Sequence, residues 1–422
     1  MSGKITAITA REILALRGNV CLEVKVTTDS GFTGRSTPEV GVSTGTYEAT
    51  MVLDGGERYG GMGVRQAARN VVQEIAPRLI GMEVSRQREI DQIMCALDGT
   101  PNKSRLGANA IVGVSLAVIK AAAMDAGLPL YQYIGGPDAS TLPIPIVGIG
   151  TGGRYRDPGK TRWFKPSYEF VPYGATGFAD SMEMCWVARK ALEGIMSARF
   201  GFRIVGYRGL NDLGSLLKHD AELLEAMTEA INKSGYEGRM GIYFDAASDC
   251  YYEPDIDRYV GIFTEGEKDT EQMIRQYQDF IANYPIVSLE DVLREDDIEG
   301  MALATRELGI EIVGDDFFTT NIERLKRAVE AGAANSMVLK ITQVGTVTEA
   351  LDACQYALRH GYNVHPCGSR GDTDSVGDFA VGLNAGQIRG TDYNRMFDIE
   401  DELGPAAIWP GKALFKGARQ NR

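Results

Sequence analysis

Four short apolar runs in the second half of the chain each end in a charged residue. They are Gly-Ile-Tyr-Phe-Asp245, Ile-Val-Ser-Leu-Glu290, Glu-Ile-Val-Gly-Asp315 and Ser-Met-Val-Leu-Lys340. Runs of this length read as buried strands. The last three ends lie about 25 residues apart, room for one strand and one helix. That repeat predicts a (β/α) barrel, whose strands carry their chemistry at their C-terminal ends. Upstream, residues 5 to about 36 alternate apolar and polar positions around Gly18-Asn19 and Ser30-Gly31, which predicts an antiparallel meander. Residues from about 64 to 127 carry helical patterning, with Gly107 and Gly127 as breaks. Strands followed by helices predict a small α+β domain. Leu128 to Leu142, with Gly135, Gly136 and Pro137, is the expected crossing. The fold expectation is an α+β capping domain over 1–137 and an α/β (β/α)8 barrel over 138–422.

Composition adds limits. A chain of 422 residues has room for a barrel and an added domain. A net charge of −13 disfavours nucleic acid or an anionic membrane as the main partner, yet permits a local cationic pocket. The six cysteines form no CxxC pair, which predicts free thiols in a reducing compartment. The start, Met-Ser-Gly-Lys-Ile-Thr, has no signal-peptide pattern, so the expected location is cytoplasmic. Ala108 to Ala123 is the longest apolar stretch; its Asn109, Ser115 and Lys120 favour a buried helix over a membrane span.

Three carboxylates and a lysine on one barrel rim make a divalent-metal site facing a base. A lone acid after a strand caps a helix or pairs with an arginine as readily as it binds metal. Three in the same context favour Asp245, Glu290 and Asp315 as ligands. Magnesium takes hard oxygen ligands, and a metal on a substrate carboxylate offsets the charge left when the adjacent carbon loses a proton. Lys340 is the expected base, with its pKa lowered by burial and nearby cations.

At this point the chain resembles the enolase superfamily over nearly its full length. Ser43-Thr44-Gly45 with Tyr47-Glu48-Ala49 is similar to the family's mobile substrate loop. Leu97-Asp98-Gly99-Thr100-Pro101-Asn102-Lys103-Ser104 is similar to its helical-domain signature. Ser288-Leu289-Glu290-Asp291, Gly314-Asp315-Asp316, Lys340-Ile341-Thr342-Gln343-Val344-Gly345-Thr346 and Asp398-Ile399-Glu400-Asp401-Glu402-Leu403-Gly404 are similar to its barrel motifs. The resemblance implies the enolase fold, a magnesium ion on Asp245, Glu290 and Asp315, Lys340 as base and Ser43 as a substrate contact. Arg389 stands where the family has a second lysine, implying a catalytic role for it too.

Other positions depart from the family. Arg208, in Gly206-Tyr207-Arg208-Gly209, replaces the proton-donating glutamate. Tyr155, between Arg154 and Arg156, takes a histidine's place, and Ser167 replaces a second glutamate. Pro366-Cys367-Gly368 replaces the His-Arg-Ser strand end, with Ser369 and Arg370 shortly after and His365 one place before the family's histidine. Arginine cannot act as the missing acid, since its pKa stays above about 12. The gained arginines suit an extra anionic group. We therefore expect Arg154, Tyr155, Arg156, Ser167, Arg208, His365, Ser369 and Arg370 to line the substrate pocket.

This pattern of losses and gains resembles a divergent branch, carboxyphosphonoenolpyruvate synthase of phosphinothricin-type phosphonate biosynthesis. That resemblance implies a small phosphorylated or phosphonate three-carbon acid as substrate, with a nucleotide-activated phosphonoformate as the second. The alternatives are the family's phosphopyruvate hydratase reaction and a non-catalytic enolase-like binding protein. No nucleic acid or membrane partner is expected. A homo-oligomer, dimer or higher, is.

Overall fold

The computed structural model describes residues 3–15, 18–40, 45–151, 165–211, 213, 216–263 and 266–415. Three antiparallel strands open the chain: β1 (Ile5–Leu14), β2 (Val20–Thr28) and β3 (Thr33–Ser36), in the order β1-β2-β3. The second turn needs a left-handed residue, and Gly31 supplies it at φ +87°. β2 alternates against the apolar face of the helix Ala108–Asp125, where Val24 and Val26 are buried with Ile111, Val114 and Val118. The expected meander and helices are present.

The helix Ala108–Asp125 is the one described helix long and apolar enough to cross a membrane, and 89% of it is buried inside the protein. One side packs on β2 and β3. Another places Val112, Leu116 and Ile119 against Val347 and Phe379 of the second half. Burying side chains of that size is worth about 1.5–3 kcal/mol each. That core joins the two halves.

The second half is a ring of eight strands: β4 (Ile144–Thr151), β5 (Ser167–Val171), β6 (Gly241–Asp245), β10 (Ile286–Glu290), β11 (Glu311–Gly314), β12 (Ser336–Leu339), β13 (Asn363–Pro366) and β14 (Gln387–Arg389). A three-stranded excursion, β7 (Tyr252–Glu253), β8 (Arg258–Val260) and β9 (Glu267–Lys268), separates β6 from β10. The ring runs β13-β12-β11-β10-β6-β5-β4-β14, and bridges Val364–Gly386 and Cys367–Arg389 close it. Every neighbouring pair is parallel except those of β5, which runs antiparallel to β4 and β6. Ile144, Ile146, Val171, Tyr243, Val313 and Val338 fill the interior, with Phe415 packed among them.

Side-chain caps start the helices that follow the rim. Asp297 accepts from Gly300 N at 2.8 Å, Asn321 from Glu323 N at 2.9 Å and Thr346 from Glu349 N at 3.1 Å. These open Ile298–Leu308, Ile322–Ala331 and Val347–Arg359. The chain thus leaves each strand at a fixed height, which places Glu290, Asp315 and Lys340 together.

Candidate active site

Asp245, Glu290 and Asp315 stand at the ends of β6, β10 and β11, all buried at 6% exposure or less. Single oxygens of Glu290, Asp291 and Asp315 lie within 4.8 Å of one another. Asp291 is the less available of these donors. Its carboxylate accepts the backbone N–H of Asp315 and of Asp316, each at 3.0 Å, and of Phe317 at 3.4 Å. It braces the turn after β11. Asp245 faces the cations: it accepts from Lys165 and lies 3.1 Å from Arg389 Nη2.

Lys340, just past β12, pairs with Asp315, whose other oxygen accepts from Gln343 Nε2 at 2.9 Å. Arg389 spreads its fork over three acids: Nη1 reaches Glu290 at 2.5 Å, and Nη2 reaches Glu169 at 2.6 Å as well as Asp245. Ser167 Oγ sits between these groups, 3.2 Å from Glu169 and 3.4 Å from Arg389 Nη2. Tyr243 donates its hydroxyl to Glu290.

The electrostatics follow from burial and pairing. Burial, with Asp245 and Asp315 adding to it, lifts Glu290 to about 8 against the pull of Arg389. Burial and the adjacent Asp315 lift Asp316 to about 8 as well, and its Oδ1 is buried without a hydrogen bond. For Lys340 burial favours the neutral form, but the Asp315 charge outweighs it and the ammonium is held above its ordinary range. The expected lowering of Lys340 is therefore not what this pairing gives. Burial raises Asp315, and Lys340 more than reverses it. The donor set fits a hard divalent cation: buried carboxylates at the ends of adjacent strands, Glu290, Asp291 and Asp315 among them.

One expected pocket residue is placed differently. His365 points into the sealed barrel interior, 0% exposed, with Nε2 2.7 Å from Ser336 Oγ and its ring edge-on to Tyr243. Burial drives its pKa down to about 3, so it is neutral there. The reason is register: His365 pairs with Val338, one turn of the pleat below Lys340. Arg370 pairs with Glu48 of the first half. Ser369 lies half-buried in the turn after β13. Ser43, Arg154, Tyr155 and Arg156 lie outside the described residues. Arg208 is on the short helix Gly206–Asn211, and its side chain also lies outside the described part.

The sequence reading passed over Lys165, Glu169 and Tyr243. Glu169 belongs to β5 and Lys165 lies two residues before the strand, whose reversed direction brings its beginning to the rim. A rule that inspects only strand ends does not find them. Alternation along Ser167, Glu169 and Val171 was the available signal.

Comparison with known proteins adds the family. The model "Enolase, N-terminal domain" matches residues 5–134 and "Enolase, C-terminal TIM barrel domain" matches 139–418. Enolase of Thermococcus gammatolerans is 43% identical over 424 residues, 97% of each chain. Enolase of Methanopyrus kandleri is 41% identical over 420 residues, 96% of this chain and 97% of its own. Enolase of Methanocaldococcus jannaschii is 41% identical over 414 residues, 95% and 96% respectively. These full-length matches overturn the expected carboxyphosphonoenolpyruvate synthase, and with it the phosphonate and antibiotic context. That expectation weighed a few substituted positions above the rest of the chain. Enolases use magnesium, which agrees with the buried acid cluster. The chain belongs to the enolase family.

Proposed function

We propose that this chain is a hydro-lyase that dehydrates 2-phosphoglycerate to phosphoenolpyruvate in the cytoplasm, the phosphopyruvate hydratase reaction. The observation that carries it is the rim arrangement of Asp245, Glu290 and Asp315 beside Lys340, on a chain 41–43% identical to enolases across their length. Asp245, Glu290 and Asp315 would hold magnesium, which when bound offsets the negative charge gathering on the substrate carboxylate. Lys340 takes the proton from the carbon beside that carboxylate. Gln343 keeps Asp315 turned toward Lys340, and Arg389 supplies fixed positive charge from across the ring.

The cover over the site comes from the first half. Ala49 N donates to Gln343 O at 2.7 Å, Thr46 N to Glu295 at 3.1 Å, and Arg370 pairs with Glu48. These contacts lay the segment after residue 44 across the rim.

The test is the formation of phosphoenolpyruvate from 2-phosphoglycerate with magnesium. A turnover of about 1–10³ s⁻¹ is expected. Chelation of magnesium should abolish it, and Lys340→Met should lower it by about 10²–10⁴-fold. A pure, folded, magnesium-loaded chain that makes no phosphoenolpyruvate would sink the reading.

A further inference from the structure

Lys165 faces Lys340 across the barrel mouth. In the closed ring of eight strands, β5 and β12 are four places apart, so they stand on opposite sides of the axis. Because β5 runs antiparallel to its neighbours, the residues that open it share a rim with the ends of β6, β10, β11 and β12. Around that half of the ring the rim reads Lys165, Asp245, Glu290, Asp315, Lys340. Each lysine pairs with the outer acid on its own side, Lys165 with Asp245 and Lys340 with Asp315. Lys165 is the more open of the two, its side chain 15% exposed against 7%. The Tyr251 hydroxyl donates to the Lys165 carbonyl and fixes its backbone.

The elimination needs a group on the side away from the base. Neither expected acid is a carboxylate in this chain: one position is Arg208 and the other Ser167. Arg389 is already divided among Glu290, Glu169 and Asp245. An ammonium group has three rotatable donors and can hold Asp245 and a substrate oxygen together.

We propose that Lys165 is a catalytic residue of this site, its ammonium donating to the hydroxyl that departs on the side opposite Lys340. This deepens the dehydratase reading and rests on it. Lys340 takes the proton from the carbon beside the carboxylate, and that C–H pair becomes the carbon–carbon double bond. The C–O bond breaks with its pair on oxygen. The Lys165 charge offsets the charge on that oxygen, and one proton from solvent completes the water.

The experiment follows 2-phosphoglycerate by two readouts: phosphoenolpyruvate formation, and magnesium-dependent exchange of the C2 proton with D2O by NMR. Lys165→Met should lower phosphoenolpyruvate formation by about 10²-fold or more and leave exchange within about threefold. Lys340→Met should lose both. Magnesium affinity of Lys165→Met, measured by calorimetry without substrate, should be unchanged or tighter, because a cation competing for Asp245 is gone. If Lys165→Met does not fold, Lys165→Arg carries the test: elimination falls at least about tenfold with exchange kept, since the fork cannot replace a compact ammonium. Elimination at the parental rate, or exchange and elimination falling together, overturns the proposal. A parent that neither exchanges nor eliminates overturns the dehydratase reading and this proposal with it; an active parent with an unaffected Lys165 variant overturns this proposal alone.

Discussion

At the scale of single residues, the site is a balance of buried opposite charges. Glu290 is 1% exposed and is held by Tyr243 and Arg389. Glu290→Gln keeps the shape and removes one hard anionic ligand. Magnesium affinity should fall by about tenfold or more, with the folded spectrum intact; calorimetry that finds parental affinity would remove Glu290 from the ligand set. His365 gives a different outcome. Its folded pKa of about 3 lies below the unfolded value near 6.5. The neutral ring's contribution is therefore complete above about pH 6.5 and is lost as pH falls toward 3. His365→Gln removes that proton uptake. The stability gap between parent and variant should narrow on acidification, by on the order of 3 kcal/mol between pH 7 and 4. Urea titrations with a gap that stays constant across that window would contradict it.

At the scale of elements, much was legible because buried parallel strands are written as apolar runs. Gly241–Asp245, Ile286–Glu290, Glu311–Gly314 and Ser336–Leu339 all appear where those runs predicted them. The direction of β5 was not legible, because alternation is the same read either way. Lys165 and Glu169 were hidden with it. The depth of His365 was hidden for a related reason: motif spacing places a residue along the chain, while the register against β12 sets its height in the barrel. Asp291 was legible as part of a motif but not as the brace that takes three backbone amides after β11. Asp291→Ala would leave those buried donors unpaired and cost on the order of 3 kcal/mol. It should also weaken magnesium binding, because the turn it braces carries Asp315. A variant with parental stability would show that the turn holds its shape without the brace.

At the scale of the whole molecule, the two halves complete one site, so their docking belongs to its function. The apolar part of the contact is Val112, Leu116 and Ile119 against Val347 and Phe379. The polar part centres on Asp372, which accepts from Lys120 at 2.8 Å, from Ser36 Oγ at 2.8 Å and from Thr37 N at 3.1 Å. Lys120 also reaches Asp374 at 3.1 Å. Burial works against the Lys120 charge, and Asp372 and Asp374 outweigh it, so its ammonium is held above the ordinary range. Lys120→Met leaves Asp372 buried without its cation, a change that typically costs about 3–5 kcal/mol. Two residues earlier in the same loop, Arg370 meets Glu48, and Glu39 N donates to Arg370 O at 2.9 Å. Loss of the Lys120 pair should therefore loosen the loop that lays the first half over the rim. The expected signature is a lowered unfolding midpoint together with a raised KM for 2-phosphoglycerate, at nearly parental magnesium affinity. The double variant Lys120→Met, Asp372→Asn should recover part of the stability, since no buried charge is then left unpaired. A double variant as unstable as the sum of the two singles would show that the pair is not coupled.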